Sequence, residues 1–254
     1  MESSSHSSQP ADASVKAAGL ALVTGAARRL GRSIALELAR MGYAIALHYY
    51  TSEAEAQKTA AEASAFGVPV TLLCADLTDE RQVREMFARV AGLPNRLRIL
   101  VNSAGSMKRG DLLTLPMADW DRILDLNLKV PLLCSQLAVP LMTEGGLIVN
   151  ITDAGAGKAW TGFPGYIVSK AGLEALTRLL ARAVAPGIRV NAIAPGLILP
   201  SEQINPQDWQ RLVGRVPLRR AGSAEEIAQT VAFLIQNEYI TGQTIVVDGG
   251  YQLV

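Results

Sequence analysis

The sequence predicts an α/β fold: a single domain on a doubly wound, seven-stranded parallel sheet with helices on both faces. The chain has 254 residues and is 49% hydrophobic, which is enough for one sizeable core. From residue 19 onward, short apolar runs alternate with longer helical segments, and no linker or internal repeat interrupts them. This alternation is typical of parallel strands that helices bury on both sides.

The individual elements follow from hydrophobic patterning along the chain. Strands are predicted at 20–24, 43–49, 68–74, 98–102, 146–151, 187–193 and 243–247. Helices are predicted at 29–41, 53–66, 79–91, 118–140, 165–185 and 223–236. Right-handed βαβ connections would join them into one sheet. Residues 1–17 are Ser-rich and polar, so we expect a disordered tail before a domain that covers 18–254.

The composition argues against several classes of protein. Lys plus Arg is 24 and Asp plus Glu is 23, so no global field attracts nucleic acid or an anionic membrane. We find no apolar run of the roughly 20 residues that a membrane span needs, and the tail lacks the pattern of a secretory signal. Cys74 and Cys134 have no metal or redox spacing. We expect both to be buried thiols in a reducing cytoplasm, with no metal site.

A glycine-containing loop joins the first strand to the first helix. Its sequence, TGAARRLG over residues 24–31, places Gly25 and Gly31 where a pyrophosphate could approach main-chain N–H groups at a helix N-terminus. Arg29 stands where a middle glycine is expected. The loop alone could be an ordinary tight turn, but strand, loop, helix and second strand together favour dinucleotide binding.

The end of the second strand indicates which dinucleotide is bound. An NAD site usually places an Asp or Glu there for the ribose 2′-hydroxyl, whereas this chain has Tyr50, Thr51 and Ser52. Arg28 and Arg29 lie on the neighbouring loop. Hydroxyl and guanidinium groups favour a 2′-phosphate, so we expect NADPH/NADP+ as the cofactor.

Tyr166 and Lys170 lie four residues apart in YIVSK, on one face of a predicted helix. An ammonium beside a phenol favours its ionisation, which predicts that Lys170 acidifies Tyr166 and makes it a general acid. Asp153 lies thirteen residues before the tyrosine. By itself Tyr166 could equally be a half-buried core tyrosine.

With these motifs the chain resembles the short-chain dehydrogenase/reductase family over residues 19–254. The resemblance implies a Rossmann fold of strand order 3-2-1-4-5-6-7, a nicotinamide cofactor, and a substrate loop at about 197–222. It implies a homotetramer that associates through the helices 118–140 and 165–185 and the last strand. It also implies a catalytic role for Asn127, together with Tyr166 and Lys170.

The resemblance also carries over the cofactor-binding positions. Asp76 would bond the adenine, and Asn102 would line its ribose. The full set is Gly25, Arg28, Arg29, Leu30, Gly31, Tyr50, Thr51, Ser52, Asp76, Leu77, Asn102, Ala104, Gly105, Thr152, Tyr166, Lys170, Pro195, Gly196 and Leu197. Asp76 could instead cap a helix that begins near Thr78, and Asn127 could be a polar residue on a helix surface.

Asp153 occupies the position of the serine that donates to the substrate carbonyl in most of the family. An ionised carboxylate only accepts hydrogen bonds and would oppose a developing oxyanion, so it suits a nitrogen-bearing substrate. With Arg29 and Ser52, it makes the chain resemble the pteridine reductases, which reduce dihydropterins with NADPH. That resemblance implies substrate contacts at Arg29, Met107, Asp153, Phe163 and Tyr166, with a pterin or folate as the substrate.

Several alternatives stay open. A carbonyl or 3-oxoacyl-thioester reductase of the same family lacks its oxyanion donor here, and a non-catalytic NADP-binding sensor would not need the acid. Met107 stands where some pteridine reductases carry an aromatic residue. Trp160 could line the substrate site or pack in the core, and Trp209 could belong to a lid or to the packing of a short helix.

Overall fold

A seven-stranded sheet of order β3-β2-β1-β4-β5-β6-β7 forms the centre of the molecule, in a computed structural model that describes residues 17–200 and 204–254. Every neighbouring pair is parallel, so the predicted fold class and strand order are confirmed. The predicted tail lies outside the described residues except for Ala17. The strands are β1 Leu20–Val23, β2 Ala44–Tyr49, β3 Val70–Cys74, β4 Leu97–Asn102, β5 Gly146–Ile151, β6 Ile188–Pro195 and β7 Thr244–Val247.

Helices connect the strands close to the predicted bounds. They are α1 Arg29–Arg40, α2 Glu53–Ser64, α3 Glu80–Ala91, α4 Met117–Leu124, α5 Val130–Ala138, α6 Pro164–Val184, α7 Pro206–Val213 and α8 Ala224–Gln236. The predicted helix 118–140 is wrong in one respect, since a π-helical turn at Asp125–Lys129 separates α4 from α5. The sequence predicts no bounds for helix α7 and places Trp209 only in a lid or on a short helix. A reciprocal capping box between Ser223 and Glu226 starts α8.

Both faces of the sheet are buried, as parallel sheets require. Alternate residues of β1 point to opposite sides: Ala21 and Val23 pack with residues of α1, α2 and α8. Leu20 and Leu22 pack with residues of α3 and α5. The sheet is therefore the middle of three layers.

The helical stretch Met117–Leu141 is long and apolar enough to cross a membrane by length and composition alone. From the sequence we expected no apolar run long enough to span a membrane, so this stretch differs from that expectation. In the structure, however, Ile123 and Cys134 are buried, and α5 contributes Val130 and Ala138 to the core on one face of the sheet. One side of this helical stretch therefore packs on the sheet, while much of the rest is not buried in the single chain.

The two cysteines have different environments. Cys134 is fully buried, but Cys74 is exposed at the end of β3, and its thiol donates to the main-chain oxygen of Tyr50. The expectation that both thiols are buried is therefore wrong for Cys74. A strand end opens to solvent where the chain leaves the sheet, and apolar patterning does not locate that point to one residue.

The carboxyl ends of the parallel strands meet at one edge of the sheet. β1 ends at Val23, β2 at Tyr49, β4 at Asn102 and β5 at Ile151. The order reverses between β1 and β4, and such a switch point opens a crevice between neighbouring loops. The predicted site residues follow these strand ends.

Candidate active site

The loop after β1 has the close packing that a dinucleotide-binding turn requires. Gly25 adopts a φ of +65°, and a Cβ on Gly31 would lie 2.3 Å from the Gly25 carbonyl oxygen, so only glycine fits there. Helix α1 starts directly after the loop and makes no side-chain capping bond at Arg28. Main-chain N–H groups at that end stay available for an anion, which fits a pyrophosphate.

His48 holds this loop in place, a role that the sequence did not assign. Its imidazole is 2% exposed. Its Nδ1 accepts from Gly25 N at 3.0 Å, and its Nε2 lies 3.1 Å from the Ala75 oxygen. Because Nδ1 accepts, the proton must lie on Nε2, which donates to Ala75. Burial lowers the pKa of His48 to about 4, so the neutral ring joins the ends of three strands.

A cavity of about 970 Å³ lies along this edge of the sheet. Twelve predicted cofactor residues line it: Gly25, Arg28, Arg29, Leu30, Gly31, Tyr50, Thr51, Ser52, Asp76, Leu77, Ala104 and Gly105. The remaining predicted cofactor positions do not line it: Asn102, Thr152, Tyr166, Lys170, Pro195, Gly196 and Leu197. Thr152 turns its hydroxyl into the sheet, where it donates to Ile193 O.

Asn102 shows an unsatisfied polar atom beside this cavity. Its Nδ2 donates to Asn150 Oδ1 at 2.8 Å, but its Oδ1 is the one buried side-chain polar atom without a hydrogen bond in the part of the chain that the structure describes. Such atoms are costly and rare in folded proteins. The unpaired oxygen lies in the protein interior next to Ser103, which does line the cavity.

The end of β2 carries hydroxyl groups and no carboxylate of its own, although the Asp76 carboxylate beyond β3 also lines the cavity and forms a hydrogen bond with Tyr50. Ser52 precedes α2, yet its side chain makes no capping bond to that helix. Glu53 is the first residue of α2, as its sequence position predicted. Asp76 accepts from the amide and the hydroxyl of Thr78, but Asp79 caps α3. The alternative that Asp76 caps this helix is therefore wrong.

Asp153 and Tyr166 are in direct contact. The phenol donates to Asp153 Oδ2 at 2.6 Å, and the other carboxylate oxygen accepts from Gly155 N at 2.6 Å. Asp153 lies two residues after the end of β5, and Tyr166 lies in the first turn of α6. The predicted spacing of thirteen residues therefore does bring the two side chains together.

The pKa of Tyr166 departs from the sequence expectation. Burial raises it well above the usual value, and the charge and hydrogen bond of Asp153 raise it further. The prediction that Lys170 acidifies the phenol is therefore wrong for this arrangement, because burial and the adjacent Asp153 carboxylate both raise the pKa of Tyr166. Burial also raises the pKa of Asp153. A protonated phenol thus faces a carboxyl group that holds its own proton more tightly than usual.

Lys170 lies behind this pair, 6% exposed. Its Nζ donates to Ile151 O at 2.7 Å and lies 5.7 Å from the centroid of the Tyr166 ring. Burial lowers the pKa of Lys170 to about 8, against the opposing charge of Asp153. The ammonium is therefore still present at neutral pH.

Asn127 connects α6 with the loop after β4. It lies in the π-helical turn and is fully buried, so the alternative of a helix-surface residue is wrong. Its Nδ2 donates to Ser169 Oγ and to Ser106 O, and its Oδ1 accepts from Ser106 N. Ser169 in turn donates to Tyr166 O. Sequence reasoning missed Ser169, which no motif spacing marks.

The predicted substrate residues Arg29, Met107 and Phe163 lie farther apart than Asp153 and Tyr166 do. Arg29 lies at a φ of +55°, and its guanidinium donates to the main-chain oxygens of Leu199 and Pro200, partners that the sequence did not predict. Met107 lines a second cavity of about 480 Å³. Phe163 directly precedes α6 and is partly buried.

Trp160 and Trp209, the two tryptophans considered for the substrate site, have different environments. Trp160 packs against Tyr251, with ring centroids 6.1 Å apart, so the packing alternative describes it better. Trp209 lies on α7, a helix with no buried residue. Neither residue lines the large cavity.

The switch-point cavity, together with half-buried Tyr166 and buried Lys170 on one helix, defines an oxidoreductase that uses a dinucleotide. A family model described as Enoyl-(Acyl carrier protein) reductase matches residues 25–252. The chain belongs to the short-chain dehydrogenase/reductase family. The 3-oxoacyl-(acyl-carrier-protein) reductase FabG of Staphylococcus aureus is 38% identical over 237 residues, which cover 91% of this chain and 96% of that relative.

Solved structures show the same fold with NADP bound. The complex of FolM alternative dihydrofolate reductase 1 from Brucella suis with NADP is 38% identical, has a TM-score of 0.88, and covers 93% of this chain and 96% of that chain. The Brucella canis structure, also complexed with NADP, is 38% identical, has a TM-score of 0.89, and covers 94% and 95%. These NADP-bound relatives and the family assignment confirm the expected cofactor class.

Proposed function

We propose that this protein reduces a C=N bond of a dihydropterin, or of the related ring of dihydrofolate, to the tetrahydro form with NADPH. The observation that carries the proposal is the contact of Asp153 with Tyr166 at 2.6 Å. A family member that reduces ketones needs a hydrogen-bond donor beside the tyrosine, where the substrate oxygen gains negative charge. A carboxylate in that place instead accepts hydrogen bonds, as the amino and ring N–H groups of a pterin offer them.

Each residue of the site has a separate role in this reduction. NADPH, when bound, supplies the hydride. Tyr166 stays protonated at neutral pH because burial and Asp153 raise its pKa, so it can give a proton to the ring nitrogen. Lys170, whose ammonium lies behind the ring, stabilises the phenolate that results. Asp153 orients the phenol and accepts from the substrate.

Tyr50, Thr51, Ser52 and Arg28 support the preference for NADPH. They line the end of the cavity next to β2, and the Ser52 hydroxyl makes no capping bond to α2. A 2′-phosphate there would meet hydroxyl groups, a guanidinium and a helix N-terminus.

A 3-oxoacyl-thioester reductase is the second candidate. The similarity to the Staphylococcus aureus reductase, at 38% identity over 237 residues, favours it. The Brucella structures of equal identity are described as alternative dihydrofolate reductases, so overall similarity does not separate the two. The carboxylate at residue 153 supports the pterin over the thioester, because it cannot donate a hydrogen bond to a developing oxyanion.

NADPH oxidation at neutral pH, followed with a panel of acceptors, tests the proposal. The panel contains dihydrobiopterin, dihydromonapterin, dihydrofolate and an acetoacetyl thioester. We expect the highest kcat/KM with one of the three reduced-ring substrates. Turnover of the thioester alone would establish the second candidate, and NADPH binding without turnover of any acceptor would indicate a sensor.

A further inference from the structure

The chain ends in a segment that packs against the turn following Asp153. We call residues 248–254 the strap. Lys158 Nζ donates to Tyr251 O at 2.6 Å and also to Val254 O, and the ammonium lies 4.3 Å from the centroid of the Tyr251 ring. Gln252 Nε2 donates to Ala154 O at 2.9 Å. Three side chains thus fasten the strap to residues 154–158.

That turn in turn fixes the Asp153 carboxylate. Gly155 N donates to Asp153 Oδ1, and Gly155 lies against Trp160, where an added Cβ would be 2.7 Å from the indole Cη2. Trp160 packs on Tyr251. Movement of the strap would therefore release the indole and the turn, and with them the orientation of the carboxylate on Tyr166.

The other side of the strap rests on the substrate loop. Leu218 N donates to Gly249 O, and a Cβ on Gly250 would lie 2.9 Å from Pro217 Cγ. Gly250 adopts a φ of +89°. The Asp248 carboxylate accepts from Gly250 N and Gln252 N, which makes the bend rigid. The strap thus bridges the end of the substrate loop and the Asp153 turn.

We infer that Lys158 and Tyr251 are positioning residues that couple the substrate loop to Asp153. When Lys158 and Gln252 hold the strap against residues 154–158, the Asp153 carboxylate stays in its hydrogen bond with Tyr166. When these contacts are lost, the carboxylate and the phenol are no longer aligned. The inference rests on the role of Asp153 in the proposed function. It concerns the substrate half of the site, since neither residue lines the cofactor cavity.

Three variants of the full-length protein test this coupling. Lys158→Met removes the donor, whereas Lys158→Arg can still donate to main-chain oxygens. Lys58→Met is the matched control, because Lys58 is exposed on α2. Each variant is crystallised, and its kcat with dihydrobiopterin, its Kd for NADPH and its Tm are measured.

For Lys158→Met we expect the Tyr166–Asp153 oxygens to separate beyond about 3.5 Å and kcat to fall about tenfold or more. The Kd for NADPH should stay within about twofold of the wild-type value, since the cofactor cavity is untouched. Lys158→Arg should restore the contact and most of kcat. Lys58→Met should match the wild type.

The inference is overturned if Lys158→Met keeps the Tyr166–Asp153 hydrogen bond in its crystal structure. It is also overturned if kcat, NADPH affinity and Tm fall together, which would indicate a merely structural role. Should wild-type protein reduce none of dihydrobiopterin, dihydromonapterin and dihydrofolate, the proposed function fails. The crystallographic separation of Tyr166 and Asp153 still decides the coupling in that case.

Discussion

His48 joins the glycine loop to the ends of two neighbouring strands through a neutral, buried imidazole. Its pKa lies near 4 in the folded protein, against about 6.5 in an unfolded chain. Between these values the unfolded chain binds more protons. The contribution of His48 to stability is therefore complete above about pH 6.5 and is lost as the pH falls toward 4.

A His48→Gln variant tests this pH dependence. Wild-type protein should lose about 2 kcal/mol of unfolding free energy from His48 between pH 7 and pH 5, and the variant should lose that much less. Urea denaturation at the two pH values measures it. His6→Gln, which removes the other histidine of the chain, is the control. An unchanged loss in His48→Gln would contradict the assignment of a neutral imidazole.

At this scale the sequence located side chains better than it described their state. The spacing of Asp153 and Tyr166 was enough to predict that they lie close together, because the end of β5 and the start of α6 have fixed positions in this fold. It did not predict the raised pKa of Tyr166, since burial, the largest cause of that rise, depends on tertiary packing. Ser169 lies within the YIVSK motif and His48 near the end of β2, but the sequence assigned no role to either, because their hydrogen bonds join residues that are distant along the chain or depend on tertiary packing.

At the scale of elements, the glycine loop and the segment after β6 are joined by Arg29. Its guanidinium reaches Leu199 O and Pro200 O, while its main chain lies in the left-handed region at a φ of +55°. A non-glycine residue is strained there. The arginine therefore serves as a bridge at a position where the backbone favours glycine.

Arg29→Ala and Arg29→Gly separate these two effects. Both lose the bridge, and we expect both to bind NADPH and dihydropterin more weakly. The glycine variant should be more stable than the alanine variant by about 1 kcal/mol, because it relieves the positive φ. Urea denaturation gives the difference in unfolding free energy. Equal stability of the two variants would show that the backbone carries no strain.

The elements themselves were largely predictable, since strands buried on both faces and amphipathic helices have distinct periods. The π-helical turn Asp125–Lys129 was not. The turn places Asn127 where its side chain forms hydrogen bonds with Ser106 and Ser169. These residues are far from Asn127 in the sequence. A pattern with a period of 3.6 residues continues through such a turn almost unchanged, so local sequence cannot locate it.

At the scale of the whole molecule, the expected homotetramer and the cytoplasmic location remain predictions. The helices that would form the contacts carry large apolar side chains on the surface. Met117 is 66% exposed, Val168 45% and Leu179 68%. Burial of such residues between subunits is a common source of association energy.

Leu179→Glu tests the tetramer. Analytical ultracentrifugation of the wild type should give four times the 27.0 kDa chain mass. The variant should sediment as a smaller species, because a charge would be buried at the contact. Leu113→Glu is the matched control, since Leu113 is 92% exposed and lies outside both helices. A monomeric wild type would contradict the prediction.

The most direct test of the central claim is the specificity of Asp153→Ser. The quantity to measure is kcat/KM for dihydrobiopterin divided by kcat/KM for an acetoacetyl thioester, with NADPH in both assays. Asp153→Asn, of equal size and without charge, is the control. We predict that the ratio falls by about a hundredfold in the serine variant, with unchanged affinity for NADPH. A serine variant that keeps the wild-type ratio would contradict the account.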